Sequence, residues 1–233
     1  MCKKEDKLIE QYRALTLDVD QKKRELFYKI QEAHQDIVAD NIVKSSNICI
    51  VLSCPGELEL LEGKPAVGQT GINLFTILKK VSERRGNDFN DFIVVDDKEM
   101  HDQISIINAY DRVFFRLVNS AEPNDNLITA ADNIQRLDER INSIKDLKYL
   151  IVCGNKAELA ISNSQSKPHG LHIAIVPHIG NVGIRNEYPI SYKCEDGRTI
   201  GDLRQDERDE MRYALIANDI LNQFGRNLNK QIT

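Results

Sequence analysis

No stretch of this 233-residue chain approaches the roughly 20 consecutive apolar residues that a membrane-spanning helix needs, so no membrane partner is expected. The opening residues, Met1 to Tyr12, are charged and lack the apolar core of a secretory signal, so a cytoplasmic protein is expected. Paired cysteines are missing as well. Cys2, Cys49, Cys54, Cys153 and Cys194 are odd in number and scattered, with no CxxC pair, which argues against a disulfide framework, a zinc site or an iron–sulfur site. Cys49 and Cys153 lie inside apolar runs, where a thiol acts as a small hydrophobe. Positive charge is not in excess: the formal net charge of −5 argues against a generic nucleic-acid coat, although a local basic face would be hidden in that sum. Repeats, low-complexity segments and a convincing linker are absent too. What remains is 41% hydrophobic and 29% charged, the balance of a soluble globular protein, read as one α/β domain spanning residues 1–233.

The chain is organised around Asn47 to Lys80. Ile48 to Leu52 is a short apolar run, read as a buried strand. Ser53-Cys54-Pro55-Gly56 makes a strand-exit turn, with Pro55 fixing one backbone angle and Gly56 permitting a positive one. A second glycine cluster runs from Gly63 to Gly71, after which Ile72, Leu74, Phe75 and Leu78 recur at helical spacing. A strand thus feeds a long loop that ends at a helix N-terminus, where free N–H groups and a positive dipole suit a polar or anionic ligand.

Residues 1–45 carry helical periodicity and predict two helices, an N-terminal layer on the sheet. Phe92 to Val95 and Ile104 to Ala109 read as strands, and Ala130 to Ile144 as an amphipathic helix. Tyr149 to Gly154 is a further strand, turning through Asn155 into a short helix. His172 to Val176 is the last strand, and Arg204 to Phe224 the closing helix. Near-continuous apolar strands alternating with helices predict a three-layer α/β/α sandwich around a central, mainly parallel sheet. In such sheets the ligand lies outside the carboxyl ends of the strands. That rule gathers Ser53 to Gly56, Asn108 to Tyr110, Gly154-Asn155 and Pro177 to Asn181, and presents Ser53, Asn108 and His178 as polar side chains.

These residues resemble the uracil-DNA glycosylase superfamily, closest to its iron–sulfur-bearing bacterial and archaeal branch. That branch shows a first motif of the form G-E-A-P-G followed by G-R-P-F-V-G-x-x-G-x-x-L. Ser53-Cys54-Pro55-Gly56, Gly63-Lys64-Pro65-Ala66-Val67-Gly68 and Gly71-Ile72-Asn73-Leu74 keep that spacing without a gap. Asn108 falls where the family places the strand-end Asn that reads a flipped base, and His178 where it has the histidine of H-P-S. The resemblance covers residues 47 to 185. It implies a monomeric base-flipping enzyme whose partner is DNA, with no cofactor and, because the cluster cysteines are absent, no metal cluster. An imidazole such as His178 stabilises charge on the leaving base, and the amide of Asn108 matches a pyrimidine edge.

The departures shape the expectation. The family's water-activating Glu is Ser53 here, leaving Glu57 or Glu59 as substitutes, and its stacking ring is Ala66, which opens volume. The last motif reads His178-Ile179-Gly180-Asn181. Pro55, Gly56, Ala66, Gln69, Asn73, Asn108 and Asn181 are the expected substrate-binding residues, and His178, Ser53, Glu57 and Glu59 the catalytic ones. Lys64, Val182, Ile184 and Arg185 are the expected DNA contacts, Val182 and Ile184 as a minor-groove wedge on a loop. The implied activity is excision of a modified pyrimidine, such as glucosylated hydroxymethylcytosine in phage DNA, leaving an abasic site. Three alternatives stand beside it: a conventional uracil-DNA glycosylase, an inactive binder or sensor on the same scaffold, and a nucleotide-processing enzyme unrelated to DNA. Each residue also has a plain structural role open to it: Asn108 as a turn cap, Glu57 and Glu59 as a solvated face, Asn73 as a helix amide, and residues 181–186 as a surface loop.

Overall fold

The computed structural model describes residues 38–86, 89–92, 100–114, 122–165 and 170–231, together with Glu25. The sheet comprises β1 (Ile48–Leu52), β2 (Ser105–Asn108), β3 (Tyr149–Cys153) and β4 (His172–Val176). Its order is β2-β1-β3-β4 and every pairing is parallel, with Leu52 opposite Asn108 and Cys153 opposite Val176. Parallel neighbours need long crossovers, and helices supply them. After β1 come α1 (Glu57–Glu62) and α2 (Gly68–Arg84), and α3 (Met100–Gln103) precedes β2. Next follow α4 (Asp125–Ile128), α5 (Ala131–Asn142) and, beyond β3, α6 (Asn155–Asn163). After β4 the chain forms α7 (Asn181–Glu187) and the long α8 (Gln205–Gln231).

Side-chain alternation along the strands sends residues to two cores. Ile48, Ile50, Leu52 and Ile106 pack with Leu74, Ile77 and Leu78 of α2 and with Ile216, Ile220 and Phe224 of α8. Cys49, Val51, Ile107 and Val152 pack on the opposite face with Leu137 and Ile141 of α5 and Ala157 and Ala160 of α6. The architecture is therefore the expected α/β/α sandwich. β4 forms an edge, and Gln223 blunts it: its amide accepts from the Ile175 N–H at 2.9 Å and donates to the Ile175 carbonyl at 2.8 Å.

Three expectations change. Residues 57–62, read as loop, form α1 because Glu59 Oε2 accepts the Gly56 N–H at 2.6 Å and Gly63 closes the helix at φ 69°. Residues 181–186, also read as loop, are α7. Residues 38–43 carry no helix. They run beside β2, where Asn41 forms an antiparallel bridge with Ile106. The helical periodicity ahead of Val38 and the strand at Ile93 to Val95 fall outside the described residues.

Candidate functional site

The carboxyl ends of all four strands open on one edge of the sheet, and His178 stands just beyond β4. Its backbone and ring are enclosed by glycines. A Cβ on Gly154 would lie 3.1 Å from His178 Cβ, and one on Gly180 3.0 Å from the ring atoms Cε1 and Nδ1. On Gly183 a Cβ would lie 2.2 Å from the His178 carbonyl oxygen. A larger residue at any of these positions displaces the imidazole or its backbone. The Gly180 N–H donates to His178 Nδ1 at 3.0 Å, so Nδ1 accepts and the proton of the neutral ring sits on Nε2. Burial lowers the His178 pKa from its ordinary value, with the charge of Glu122 opposing. The result is a neutral imidazole with one N–H still to give.

His178 lines a cavity of ≈ 1070 Å³ whose walls include Gln69, Phe114, Glu122, Asn124, Asn181 and Asn186. That is at the large end for a small-ligand site, about 300–1,000 Å³. Phe114 and Glu122 are functional candidates that sequence reasoning missed. The Phe114 N–H donates to the Pro55 carbonyl at 3.0 Å, and its ring meets Tyr110 edge-on at 5.9 Å, so an aromatic surface is held at the Pro55 turn. The charge of Glu122 reaches both His178 and Cys54. Only the neighbouring Asn108 strand end hinted at Phe114, and Glu122, ahead of Pro123-Asn124, carried no motif. Lys156, on the same wall, pairs with Asp125 at 2.6 Å.

The expected residues divide sharply. Asn73 is fully buried and all its bonding capacity is used. Oδ1 accepts from Gln69 Nε2 at 2.9 Å and from the Tyr213 hydroxyl at 2.8 Å, and Nδ2 donates to the Ile179 carbonyl at 2.8 Å and to Asn181 Oδ1 at 3.0 Å. With nothing left for a base, it ties α2, the His178 turn and α8 together. It also orients Gln69 and Asn181, which do line the cavity. Glu59 is committed as well: its oxygens accept from Gly56 and Ala66 N–H groups at 2.6 and 2.7 Å, and burial raises its pKa. It pins the loop between α1 and α2. Glu57 is half-buried at the first position of α1, outside the walls of the His178 cavity.

Ala66 is 2% exposed and adopts φ 52°; with Lys64 it lines a separate space of ≈ 320 Å³, so its small side chain does not enlarge the His178 cavity. Ile184 is 2% exposed inside the core, which excludes it as a wedge, because α7 turns that side of the segment inward. Val182, on the exposed side at 57%, remains available. Arg185 is exposed and reaches Asp209 at 3.5 Å. The basic run at the other end of α2 serves the fold: Lys80 pairs with Glu210 at 2.6 Å, and Arg84 bonds Asn218 at 2.8 Å.

Ser53 and Asn108 are buried at 2% and 0%, and among the described residues Ser53 Oγ, Asn108 Nδ2 and Asn108 Oδ1 have no hydrogen-bond partner of normal geometry. An unpartnered buried polar atom costs about 1–3 kcal/mol, so the adjacent ends of β1 and β2 are a candidate position for a ligand or water that would supply partners. Neither residue is among the walls of the His178 cavity. Burial pushes the Cys54 thiol up to about 12, with Ser53 opposing, and Cys153 likewise to about 12, which removes both as thiolate nucleophiles. Among the described residues no helix is long and apolar enough to cross a membrane, and no His, Cys, Asp and Glu group is placed to hold a metal ion. The chain matches no protein-family model, and no curated protein is significantly similar to it.

Proposed function

We propose that this chain is a DNA glycosylase that hydrolyses the N-glycosidic bond of a modified pyrimidine, such as glucosylated hydroxymethylcytosine in phage DNA. The observation that carries this is His178: a neutral imidazole, fixed by glycines and by the Gly180 N–H, with Nε2–H left to donate into a large cavity whose walls carry Gln69, Glu122, Asn124, Asn181 and Asn186. As the bond between C1′ and the base nitrogen breaks, its electron pair moves onto the base, and His178 stabilises that charge by donating the Nε2–H hydrogen bond. Water adds its oxygen to C1′ while Glu122, on the same wall, accepts the water proton. Glu122 thus takes the role that sequence reasoning assigned to Glu57 or Glu59. The face of Phe114 supports the extruded ring, and Gln69, Asn124, Asn181 and Asn186 provide paired donors and acceptors suited to a hydroxyl-rich substituent.

One observation favours a second function, a non-catalytic binder on the same scaffold: the Asn108 amide is wholly buried and outside the His178 cavity. Incubating the purified chain with hydroxymethylated, glucosylated and unmodified DNA, followed by alkaline cleavage, separates the two. Alkali-labile sites on modified DNA, lost in His178→Ala, support the glycosylase; retained DNA binding without such sites on any substrate supports the binder.

A further inference from the structure

The strand end that carries Asn108 is gripped through its backbone at the outer edge of the sheet while its side chain leaves toward the α2 face. Ile107 and Ala109 face the core under α5, whereas Asn108 sits opposite Leu52 in register, on the α2 face. At the outer edge of β2, Asp40 Oδ1 accepts the Asn108 N–H at 3.0 Å. Arg136 Nη2 donates to the Asn108 carbonyl at 2.8 Å and to the Ala109 carbonyl at 3.1 Å. Arg136 Nη1 closes the circuit on Asp40 Oδ2 at 3.1 Å. Asn133, one helical turn before Arg136, donates to the Ala109 carbonyl at 2.9 Å and accepts from Arg136 Nη2 at 3.1 Å. Arg140 lies 3.6 Å from Asp40, and Asp111 3.6 Å from Arg136.

We infer that Asp40 and Arg136 are positioning residues that hold the Asn108 N–H and carbonyl and thereby aim its unpartnered amide at a ligand edge. A strand end needs no buried ion pair for stability, since apolar contacts of similar volume serve as well or better. A carboxylate on the Asn108 N–H and a guanidinium on its carbonyl hold the two peptides that flank its Cα, which fixes the backbone there and with it the direction of the side chain. The amide held in that direction presents one donor and one acceptor side by side, which fits a cyclic amide or amidine edge of a nucleobase. This inference rests on the glycosylase proposal only for the identity of that ligand.

The test uses the full chain with Arg136→Lys, which keeps charge but loses the fork, and Asp40→Asn, which keeps an acceptor but loses charge. The Asn108 side-chain NH₂ resonances, assigned by their loss in Asn108→Asp, are recorded beside thermal melting and excision kinetics on modified DNA. The expected result is a shifted or doubled Asn108 amide in Arg136→Lys, a kcat lower by about tenfold to a hundredfold with KM nearly unchanged, and partial rescue in Asp40→Asn. An unmoved amide, or a moved amide with intact kcat, overturns the inference. If the wild-type chain excises no base, the glycosylase proposal falls, and the amide resonance alone decides the clamp.

Discussion

Replacing Gly183 with Ala tests the His178 socket most sharply. The added Cβ would stand 2.2 Å from the His178 carbonyl oxygen and 2.8 Å from its Cβ. The first contact is about 1 Å inside van der Waals distance, so the backbone of His178 or of α7 must move. Overpacking of this kind costs about 1–3 kcal/mol, which in a chain of this size lowers Tm by about 2–4 °C per kcal/mol. A shift of about 1 Å in a reacting group lowers the rate about a hundredfold. Gly63→Ala is the control. Its Cβ meets nothing within 4 Å, but its φ of 69° costs about 1 kcal/mol. Differential scanning calorimetry gives the stability change, and the ¹⁵N chemical shifts of the His178 ring report its displacement. A Gly183→Ala chain with wild-type ring shifts, or one more stable than Gly63→Ala, would refute the socket.

Other outcomes follow from the same geometry. Glu59→Gln loses one of two acceptors for the Gly56 and Ala66 N–H groups, so urea denaturation should show a loss of about 1–3 kcal/mol; an unchanged midpoint with abolished excision would restore Glu59 as a catalytic acid. Asn73→Leu orphans the Tyr213 hydroxyl and the Ile179 carbonyl and should cost about 2 kcal/mol or more, accompanied by movement of Asn181 in the amide spectrum. Because His178 is buried with a depressed pKa, the unfolded state binds the extra proton. Stability should therefore fall as pH drops through the ordinary histidine range near about 6.5, and a His178→Gln chain should show a flatter pH profile; an equal slope in both chains would contradict this. Glu122→Gln should remove excision, and a fully active variant would exclude it as the water-holding carboxylate.

Much of the fold was legible because strands buried on both faces leave near-continuous apolar runs. Ile48 to Leu52 and Tyr149 to Cys153 could be read almost to the residue for that reason, and the edge strand His172 to Val176 from its apolar run before Pro177. The short helices α1 and α7 were not, because six or seven residues are too few to show a helical period and their formation depends on particular contacts: the Glu59 oxygens in α1, the buried Ile184 in α7. His178 was legible from its place after a strand, although the glycines that enclose it come from residues 154, 180 and 183 and only the fold unites them. The roles of Asn73 and Glu59 were hidden for the opposite reason. Residue type announces what a side chain can bond, but partners over a hundred positions away, such as Tyr213 and Ile179 for Asn73, decide whether any capacity is left. Phe114, Glu122, Asp40 and Arg136 lie in no motif and acquire meaning only from what stands beside them.

Mass spectrometry of the small molecules released from modified DNA tests the central claim most directly. A free modified pyrimidine liberated by the wild-type chain, and absent with His178→Ala of equal Tm, is the predicted result; intact DNA after prolonged incubation with the wild-type chain, or equal release by both chains, would contradict it.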